Sequence, residues 1–428
     1  MIASTPGSPE LSNGGNGTPG EIDYRKLMAD VERVVDSMEV GDEDAPTVQR
    51  LANALTRSFG VEMGLTGGRL YVQQGEEYRL WATFGEAKEV EPGTRVSADY
   101  PPVQMSIAAG TLYMNEQDPR LDRVFEDRIG SESFAVAVAG GSEYLLAFDV
   151  REDHRADQVL FALGLLRHAI NQKIQQQQVR DVLREARRIQ QAILPREKPI
   201  FHTYDIAGRS EPLESVGGDF FDYIPVTDKI LGLVLADVSG HGLPAALQVR
   251  DVYMGLRMGM SRDFKIVRTV ERLNQIIHQS RSTSRFVSMF YGELESDGTL
   301  IYVNAGHPPP VLLSADGRRK DLDEGGVVLG PIPNATYHRG FVRLEPGDLL
   351  VACTDGILET RAGSDADVPA ASGEGPEEYG LERVLAVCEQ NRDLGSEEIV
   401  DAVFADLARF SHEAPASDDR TLAVLKQG

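Results

Sequence analysis

Two aspartates, Asp219 and Asp237, stand beside glycines in segments that could bring their carboxylates face to face. Asp219 follows a glycine pair in VGGDFFDY, and Asp237 opens DVSGHG. An aromatic-rich run and an apolar run flank turn residues at Thr227 and Asp228, which predicts a β-hairpin. Counting outward from a turn of roughly two or three residues pairs Asp219 with Ala236 or with Asp237.

Directly opposed carboxylates in an antiparallel pair repel each other, because their Cβ atoms lie only about 4.5 to 5.5 Å apart. A divalent cation between them is the usual remedy. Each aspartate alone is typical of an ordinary strand end, but the glycines beside both of them favour close approach to a ligand. Asp222 points to the opposite face of its strand, so we expect it to be structural.

Further carboxylates follow predicted strands later in the chain. The apolar run 349–353 ends before Asp355, and Asp418 and Asp419 precede TLAVL, which is typical of a final strand. Oxygen ligands without a Cys or His cluster favour Mg²⁺ or Mn²⁺ and argue against zinc.

Six motifs, in this order, resemble the PPM family of metal-dependent Ser/Thr protein phosphatases, in its bacterial SpoIIE-type branch. They are VGGDFFDY, ADVSGHG, TSRFVSMFYGEL, NAGHPPP, ACTDGILE and SDDRTLAVL. The resemblance covers about residues 187–428, and it includes RRIQQAILP, which is similar to the helix that precedes this domain in stress-response members.

The resemblance implies an α+β chain whose phosphatase part is an α-β-β-α sandwich of two antiparallel sheets. It also implies two ions of Mn²⁺ or Mg²⁺. Asp237 would bridge both ions, the carbonyl of Val238 would complete one shell, Asp219 would hold one ion, and Asp355 with Asp418 the other. Water activated by the ions would attack phosphorus in line, without a phosphoenzyme.

Two departures from the family pattern concern protonation and phosphate binding. Val238 and Ser239 stand where other branches have a histidine, and His241, which comes later, either lines the site or fixes the turn. His307 in AGHPPP is expected to be structural. Other branches also carry a phosphate-binding arginine just before the first aspartate, for which Arg209 is here a remote candidate.

Composition places the chain among soluble globular proteins of two or three domains, with 428 residues, 26% charged and 41% hydrophobic. A net charge of −24 argues against nucleic acids and anionic membranes as partners. The sequence has no apolar run of membrane-spanning length and no signal-peptide pattern, so we expect a cytoplasmic protein. Cys353 and Cys388 are expected to be buried thiols.

Patterning predicts four regions. Residues 1–20 are a Gly-, Ser- and Pro-rich disordered leader, and residues 21–160 resemble a GAF domain in their order of helices, antiparallel strands and a closing helix. Residues 161–196 are a helical linker, and residues 197–428 are the phosphatase domain. The GAF-like part lacks a cysteine for bilin, and its histidines lie at the closing helix, so it is interpreted as a sensor or a dimerising module.

The linker carries an apolar seam whose spacings alternate between three and four residues, at Val179, Val182, Ala186, Ile189 and Ile193. This favours a short coiled coil in a homodimer, or else an amphipathic helix lying on its own domain. An upstream register, set by Leu163, Leu166 and Ile170, continues instead onto polar residues, so the two seams do not align; these are Lys173, Gln177 and Arg180.

The sequence as a whole therefore indicates a signal-regulated phosphatase acting on phosphoserine or phosphothreonine of a protein, by resemblance a STAS-type anti-sigma-factor antagonist. One alternative is a scaffold that only binds an anti-sigma or STAS-type partner. The other is a diguanylate cyclase, suggested by GGD, but Phe220 stands where that class needs an acidic residue. The acidic insert 365–378 is typical of a surface loop.

Overall fold

The computed structural model describes residues 24–37, 44–130, 133–151, 154–195, 197–260, 265–280, 286–362, 377–412 and 416–428. The chain divides into two compact units, Met1–Arg180 and Asp181–Gly428. The predicted leader 1–20 and most of the predicted acidic loop lie outside the described residues.

The first unit contains helices on both faces of one antiparallel sheet. Its helices are α1 (Tyr24–Ser37), α2 (Asp44–Met63), α3 (Pro101–Ala109), α4 (Arg123–Ile129) and the start of α5 (Ala156–Gln191). Its strands are β1 (Leu65–Gln74), β2 (Glu77–Gly85), β3 (Arg95–Ser97), β4 (Thr111–Met114), β5 (Phe134–Ala139) and β6 (Tyr144–Val150), in the order β3-β2-β1-β6-β5-β4.

The sequence predicted α1, α2, β1, β2 and α5, and also the β5–β6 hairpin joined at Gly140 and Gly141. The strands β3 and β4 and the helices α3 and α4 were not predicted. One core lies between the sheet and α1, α2 and α5, and a second core lies on the opposite face. The resemblance to a GAF domain stays a prediction.

Helix α5 confirms the predicted long helix over the end of the first unit. Its upstream face is buried in the first core through Leu163, Leu166 and Ile170 and continues onto Lys173, whose Nζ donates to the carbonyl of Val35 at 2.9 Å. The predicted downstream seam is different in character. Val179, Val182 and Ile189 are 59%, 58% and 50% exposed, whereas Ile193 at the end of the seam is half-buried and packs against a core of the second unit.

The second unit contains four long helices, a one-turn helix and eleven strands among its described residues. The helices are α6 (Leu243–Met260), α7 (Ile266–Gln279), α8 (Asp355–Leu358), α9 (Gly380–Gln390) and α10 (Ser396–Phe410). The strands are β7 (Tyr204–Glu211), β8 (Asp219–Thr227), β9 (Ile230–Val238), β10 (Val287–Glu295), β11 (Thr299–Ala305), β12 (Val311–Leu313), β13 (Arg319–Asp321), β14 (Gly325–Gly326), β15 (Gly340–Arg343), β16 (Leu349–Cys353) and β17 (Arg420–Gln427).

These strands form two sheets, in the orders β14-β11-β10-β9-β8 and β13-β12-β16-β17-β7, with β15 also paired to β11. Apart from the two-residue parallel pairing of β14 with β11, the ladders are antiparallel. Helices α6 and α7 pack on the first sheet, α9 and α10 on the second, and a third core fills the space between the sheets. The predicted α-β-β-α sandwich is confirmed.

Helix α7 shows why these segments fold as they do. Its buried residues Ile266, Val270, Leu273 and Ile277 recur at spacings of three and four, which places them on one face toward the sheet. Both cysteines are free and buried, Cys353 in β16 and Cys388 in α9, as predicted. Burial raises the pKa of each thiol to about 12, so neither is a ready nucleophile.

No helix among the described parts of the chain combines the length and apolar character that a membrane crossing requires.

Leu300 tests the layer between the two sheets, where it is fully buried. We expect Leu300→Ala to lower the free energy of unfolding of the second unit by about 2–5 kcal/mol, because it removes buried surface and leaves a cavity. The matched control is Phe341→Ala, since Phe341 is 74% exposed; it should change stability by about 0.5 kcal/mol or less. Scanning calorimetry of the full chain measures both, and equal effects would contradict the sandwich core.

Candidate metal centre

The hairpin β8–β9 brings the two predicted carboxylates directly opposite each other. The register pairs Asp219 with Asp237, and the turn lies at Asp228 and Lys229. The register shifts once, between Pro225 and Thr227, and β8 is the edge strand of its sheet, where proline is tolerated. Of the two predicted pairings, the structure therefore selects Asp219 with Asp237.

The second sheet delivers the remaining carboxylates to the same end of the sandwich. Asp355 stands two residues after β16, and Asp418 stands two residues before β17, which is paired with β16. Gly356 is required between them, because a Cβ at this residue would lie 2.0 Å from the carbonyl oxygen of Asp419 and 3.2 Å from the Cβ of Asp418. The glycine thus lets the two turns pack against each other.

The electrostatics show that these carboxylates share one environment. Burial, and then the charge of Asp237, raises the pKa of Asp219 well above its ordinary value. Burial raises the pKa of Asp237 to about 7, and the charges of Asp355 and Asp418 add to the effect. Burial and the charge of Asp418 also raise the pKa of Asp355. The neighbours that raise these pKa values are themselves carboxylates.

This donor set fits a hard divalent cation, because it consists of carboxylate oxygens that repel one another in a partly buried site. Gly218 also brings the chain close to the carbonyl of Val238, since a Cβ there would lie 2.6 Å from that oxygen. Among the described residues no three His, Cys, Asp or Glu side chains already stand in a metal-binding arrangement. The individual ligand assignments therefore remain predictions.

Asp419 plays a different part from its neighbour, because it organises the loop that leads to Asp219. It is buried, and its carboxylate accepts hydrogen bonds from the backbone N–H groups of Leu213 at 2.7 Å and Gly218 at 2.5 Å. Asp418 is exposed in contrast. The pair therefore divides into one residue that faces the site and one that anchors the loop.

The two histidines singled out in the sequence and Asp222 each have a partner outside the four carboxylates. His307 is buried, Nδ1 lies 2.9 Å from Ser288 Oγ, and burial lowers its pKa to about 3, which supports the predicted structural role. His241 is exposed and bonded to Glu214 Oε1 at 2.5 Å. Asp222 is buried and paired with Arg257 at 2.8 Å, as expected for a structural carboxylate.

Arg209, the remote phosphate-binding candidate, faces away from Asp219. It pairs with Glu211 and Asp401, and its guanidinium lies 4.5 Å from the ring centroid of Phe404 on α10. Strand alternation explains this, since the next residue, Ser210, points the other way. Arg209 is thus engaged on the helix side of its sheet.

Sequence reasoning missed two residues at the end of α5 that reach the site. Gln190 is buried and forms two hydrogen bonds with the backbone of Gly217: Nε2 donates to the carbonyl at 2.7 Å, and Oε1 accepts from the N–H at 3.1 Å. Arg187 and Asp219 line the same cavity of about 100 Å³. The motif RRIQQAILP contains both residues and was the available signal.

Comparisons with known proteins show which family this chain resembles. The sequence model of the family described as Stage II sporulation protein E (SpoIIE) matches residues 227–427. Phosphoserine phosphatase RsbU of Bacillus subtilis is 27% identical over 256 residues, 59% of this chain and 72% of RsbU. Protein IcfG of Synechocystis is 26% identical over 264 residues, 52% of this chain. The match spans only 40% of the length of IcfG.

Among solved structures, the SiaA-PP2C domain of Pseudomonas aeruginosa superposes with a TM-score of 0.50 at 21% identity. The superposition covers 59% of this chain and 98% of that one. At this identity the likeness establishes the fold alone. Together with the family match, it confirms the resemblance that six sequence motifs predicted for the C-terminal half.

Asp237→Asn tests the site directly. The variant should remain folded and lose Mn²⁺ binding by orders of magnitude, because a ligand shared by two ions fixes both of them. Calorimetric titration with Mn²⁺ measures the effect.

Asp222→Asn is the matched control for this variant. Asp222 is a buried carboxylate of the same strand pair that points to the opposite face, so its loss should lower the melting temperature and leave Mn²⁺ affinity unchanged. Undiminished binding in Asp237→Asn would remove the two-ion interpretation.

Proposed function

We propose that this chain, whose C-terminal half contains a SpoIIE/PP2C-type phosphatase domain, is a signal-regulated, metal-dependent protein Ser/Thr phosphatase acting in the cytoplasm. The observation that carries the proposal is the in-register pairing of Asp219 with Asp237 beside Asp355 and Asp418. Carboxylates from two sheets lie close enough there to raise the pKa of one another, and among the described residues no arginine or lysine lowers the pKa values of Asp219, Asp237 or Asp355. Phosphoryl transfer by two metal ions needs such a donor set.

The chain's own residues would hold and orient the reactants. Asp237 would be shared by the two ions. Asp219 would hold one ion, and the carbonyl of Val238 would complete one coordination shell. Asp355 and Asp418 would hold the other ion. Bound Mg²⁺ or Mn²⁺ would supply a water activated for in-line attack and charge stabilisation at the phosphoryl oxygens. Because both thiols are buried with raised pKa, hydrolysis would proceed without a cysteine phosphoenzyme.

Arg187 is the residue that we assign to recognition of the substrate phosphate. It is exposed, it carries a guanidinium suited to phosphate oxygens, and it lines the cavity beside Asp219 together with Ser210 and Ser215. Arg209, in contrast, is held by carboxylates and an aromatic ring on the other face. The end of α5 would therefore provide the phosphate-binding arginine that other branches of the PPM family carry just before the first aspartate.

The substrate that we propose is a phosphorylated STAS-type antagonist of an anti-sigma factor, in line with the phosphoserine phosphatase name of RsbU. The first unit would receive the signal that regulates the phosphatase domain. It contains a cavity of about 50 Å³ lined by apolar side chains and by Arg69, Tyr71 and Glu126.

The exposed side chains Val179, Val182 and Ile189 of α5 would pair with those of a second copy in a homodimer. Light scattering tests the homodimer by measuring the molar mass of the chain in solution.

The two alternatives meet specific observations. A diguanylate cyclase would need an acidic side chain where Phe220 is fully buried, 6.0 Å from the ring centroid of Tyr253 on α6. A scaffold without activity would bind a partner through the same domain and would not require the carboxylate cluster. An assay of phosphate release distinguishes the scaffold from the enzyme.

The deciding assay measures phosphate release from a phosphoserine-bearing STAS-type protein by the full chain, with Mn²⁺ and with EDTA. We expect turnover only with the metal, and in ¹⁸O-labelled water the released phosphate should carry the label, because the nucleophile is water in a single displacement. Partner binding without release in Mn²⁺ would indicate the scaffold. A phosphorylated enzyme trapped by rapid quench would contradict direct hydrolysis.

Arg187→Ala should raise KM for the phosphoprotein and lower kcat/KM by about 10-fold or more, because a charge-assisted contact to phosphate is lost. Its Mn²⁺ affinity should stay at the wild-type value. The matched control is Arg188→Ala, which removes an adjacent exposed arginine paired with Glu185 at 2.8 Å. Equal kinetics for the two variants would exclude Arg187 from phosphate recognition.

A further inference from the structure

Thr354 and Thr421 are two fully buried residues whose hydroxyls meet at Asp219. We propose that they are positioning residues, which hold the Asp219 carboxylate so that it offers a single oxygen to a metal ion. This inference rests on the proposed function, in which Asp219 is a metal ligand.

The hydrogen bonds converge on one oxygen of the carboxylate. Thr354 Oγ1 donates to Asp219 Oδ2 at 2.8 Å, and Thr421 Oγ1 donates to the same Oδ2 at 2.6 Å. A carboxylate oxygen offers about two lone-pair positions, so two hydroxyl donors occupy those of Oδ2. Oδ1 is the oxygen that remains for a metal ion.

The two hydroxyls are themselves held in place. The backbone N–H of Thr421 donates to Thr354 Oγ1 at 3.0 Å, and Thr421 Oγ1 lies 2.9 Å from Ser210 Oγ. Because Thr421 has one hydroxyl proton and gives it to Asp219, Ser210 donates to Thr421. Threonine is also stiff at χ1, so the donors have little freedom to rotate.

The donors belong to the sheet opposite to the one that carries Asp219. Thr354 follows β16 and Thr421 lies in β17, whereas Asp219 opens β8. The orientation of the ligand is therefore set by how the two sheets pack, and not by the hairpin alone. A small shift between the sheets would rotate the carboxylate and misplace Oδ1.

Ordinary satisfaction of a buried carboxylate is the competing explanation, since unpartnered buried polar groups are costly. The two explanations differ in what a lost hydroxyl changes. If the threonines only satisfy Asp219, their removal lowers stability and leaves metal affinity unchanged. If they position it, metal affinity falls by more than stability explains.

The test uses Thr354→Val and Thr421→Val in the full chain, with Mn²⁺ affinity measured by calorimetry and melting temperature measured without metal. Each valine should weaken Mn²⁺ binding by about 10- to 100-fold, as is usual when an outer partner of a metal ligand is lost. Thr→Ser at either residue should restore the wild-type affinity. If a valine variant is too unstable for calorimetry, the Mn²⁺-induced rise in melting temperature gives the same ratio.

Thr360→Val is the matched control, because Thr360 is a buried threonine whose hydroxyl donates to the carbonyl of Gly356 at 2.7 Å and not to a carboxylate. It should lower stability and keep Mn²⁺ affinity. A second control is the Asp219→Asn background, in which Thr421→Val should cause no further loss of affinity, since the two act through one contact.

The outcomes separate this inference from the proposed function. A wild-type chain that binds no Mn²⁺ overturns the proposed function. A wild-type chain that binds Mn²⁺, with valine variants that bind it equally well, overturns only the positioning role. Additive losses in the Asp219→Asn background would also overturn that role.

Discussion

The repulsion between buried carboxylates is the constraint on which the second unit depends. Asp219 faces Asp237 across a strand pair, and burial adds to the cost of ionising both. Such an arrangement is destabilising unless positive charge compensates it, so its presence in a folded domain points to a function. The surrounding sandwich supplies the rigidity: each carboxylate stands at the end or beginning of a strand whose sides are packed in a core.

Backbone N–H groups and hydroxyl groups form the hydrogen bonds that hold Asp219 and Asp419 in place. An arginine or lysine in their place would have neutralised the carboxylates. Asp419 accepts two backbone N–H groups and so fixes the loop before Asp219. Glycines at 218 and 356 allow chain segments to touch where any side chain would collide. These contacts hold the carboxylate cluster together without adding a positive charge to it, as the proposed metal site would require.

Much of this site was predictable from sequence because the hairpin is local. Two strand-like runs and the turn residues between them were enough to predict that Asp219 and Asp237 face each other. Asp222 was assigned to the opposite face of its strand from the two-residue alternation of side chains alone. The approach of Asp355 and Asp418 depends on sheet pairing between segments far apart in sequence, so it came from the family resemblance. The contacts of Gln190, Thr354 and Thr421 were not predicted, because they form only when the two sheets and the end of α5 pack within the second unit. Strands of two to four residues, such as β13 and β14, carry no usable periodicity.

The two hydrogen bonds between Gln190 and the backbone of Gly217 have a mechanical consequence. They join the last turn of α5 to a segment two residues before Asp219. A helix that slips by one residue advances about 1.5 Å, whereas a hydrogen bond tolerates only a small fraction of that distance. The end of the helix and the beginning of β8 must therefore move together unless these two hydrogen bonds break, which makes the Gln190 amide one coupling through which an axial displacement of the helix would reach Asp219.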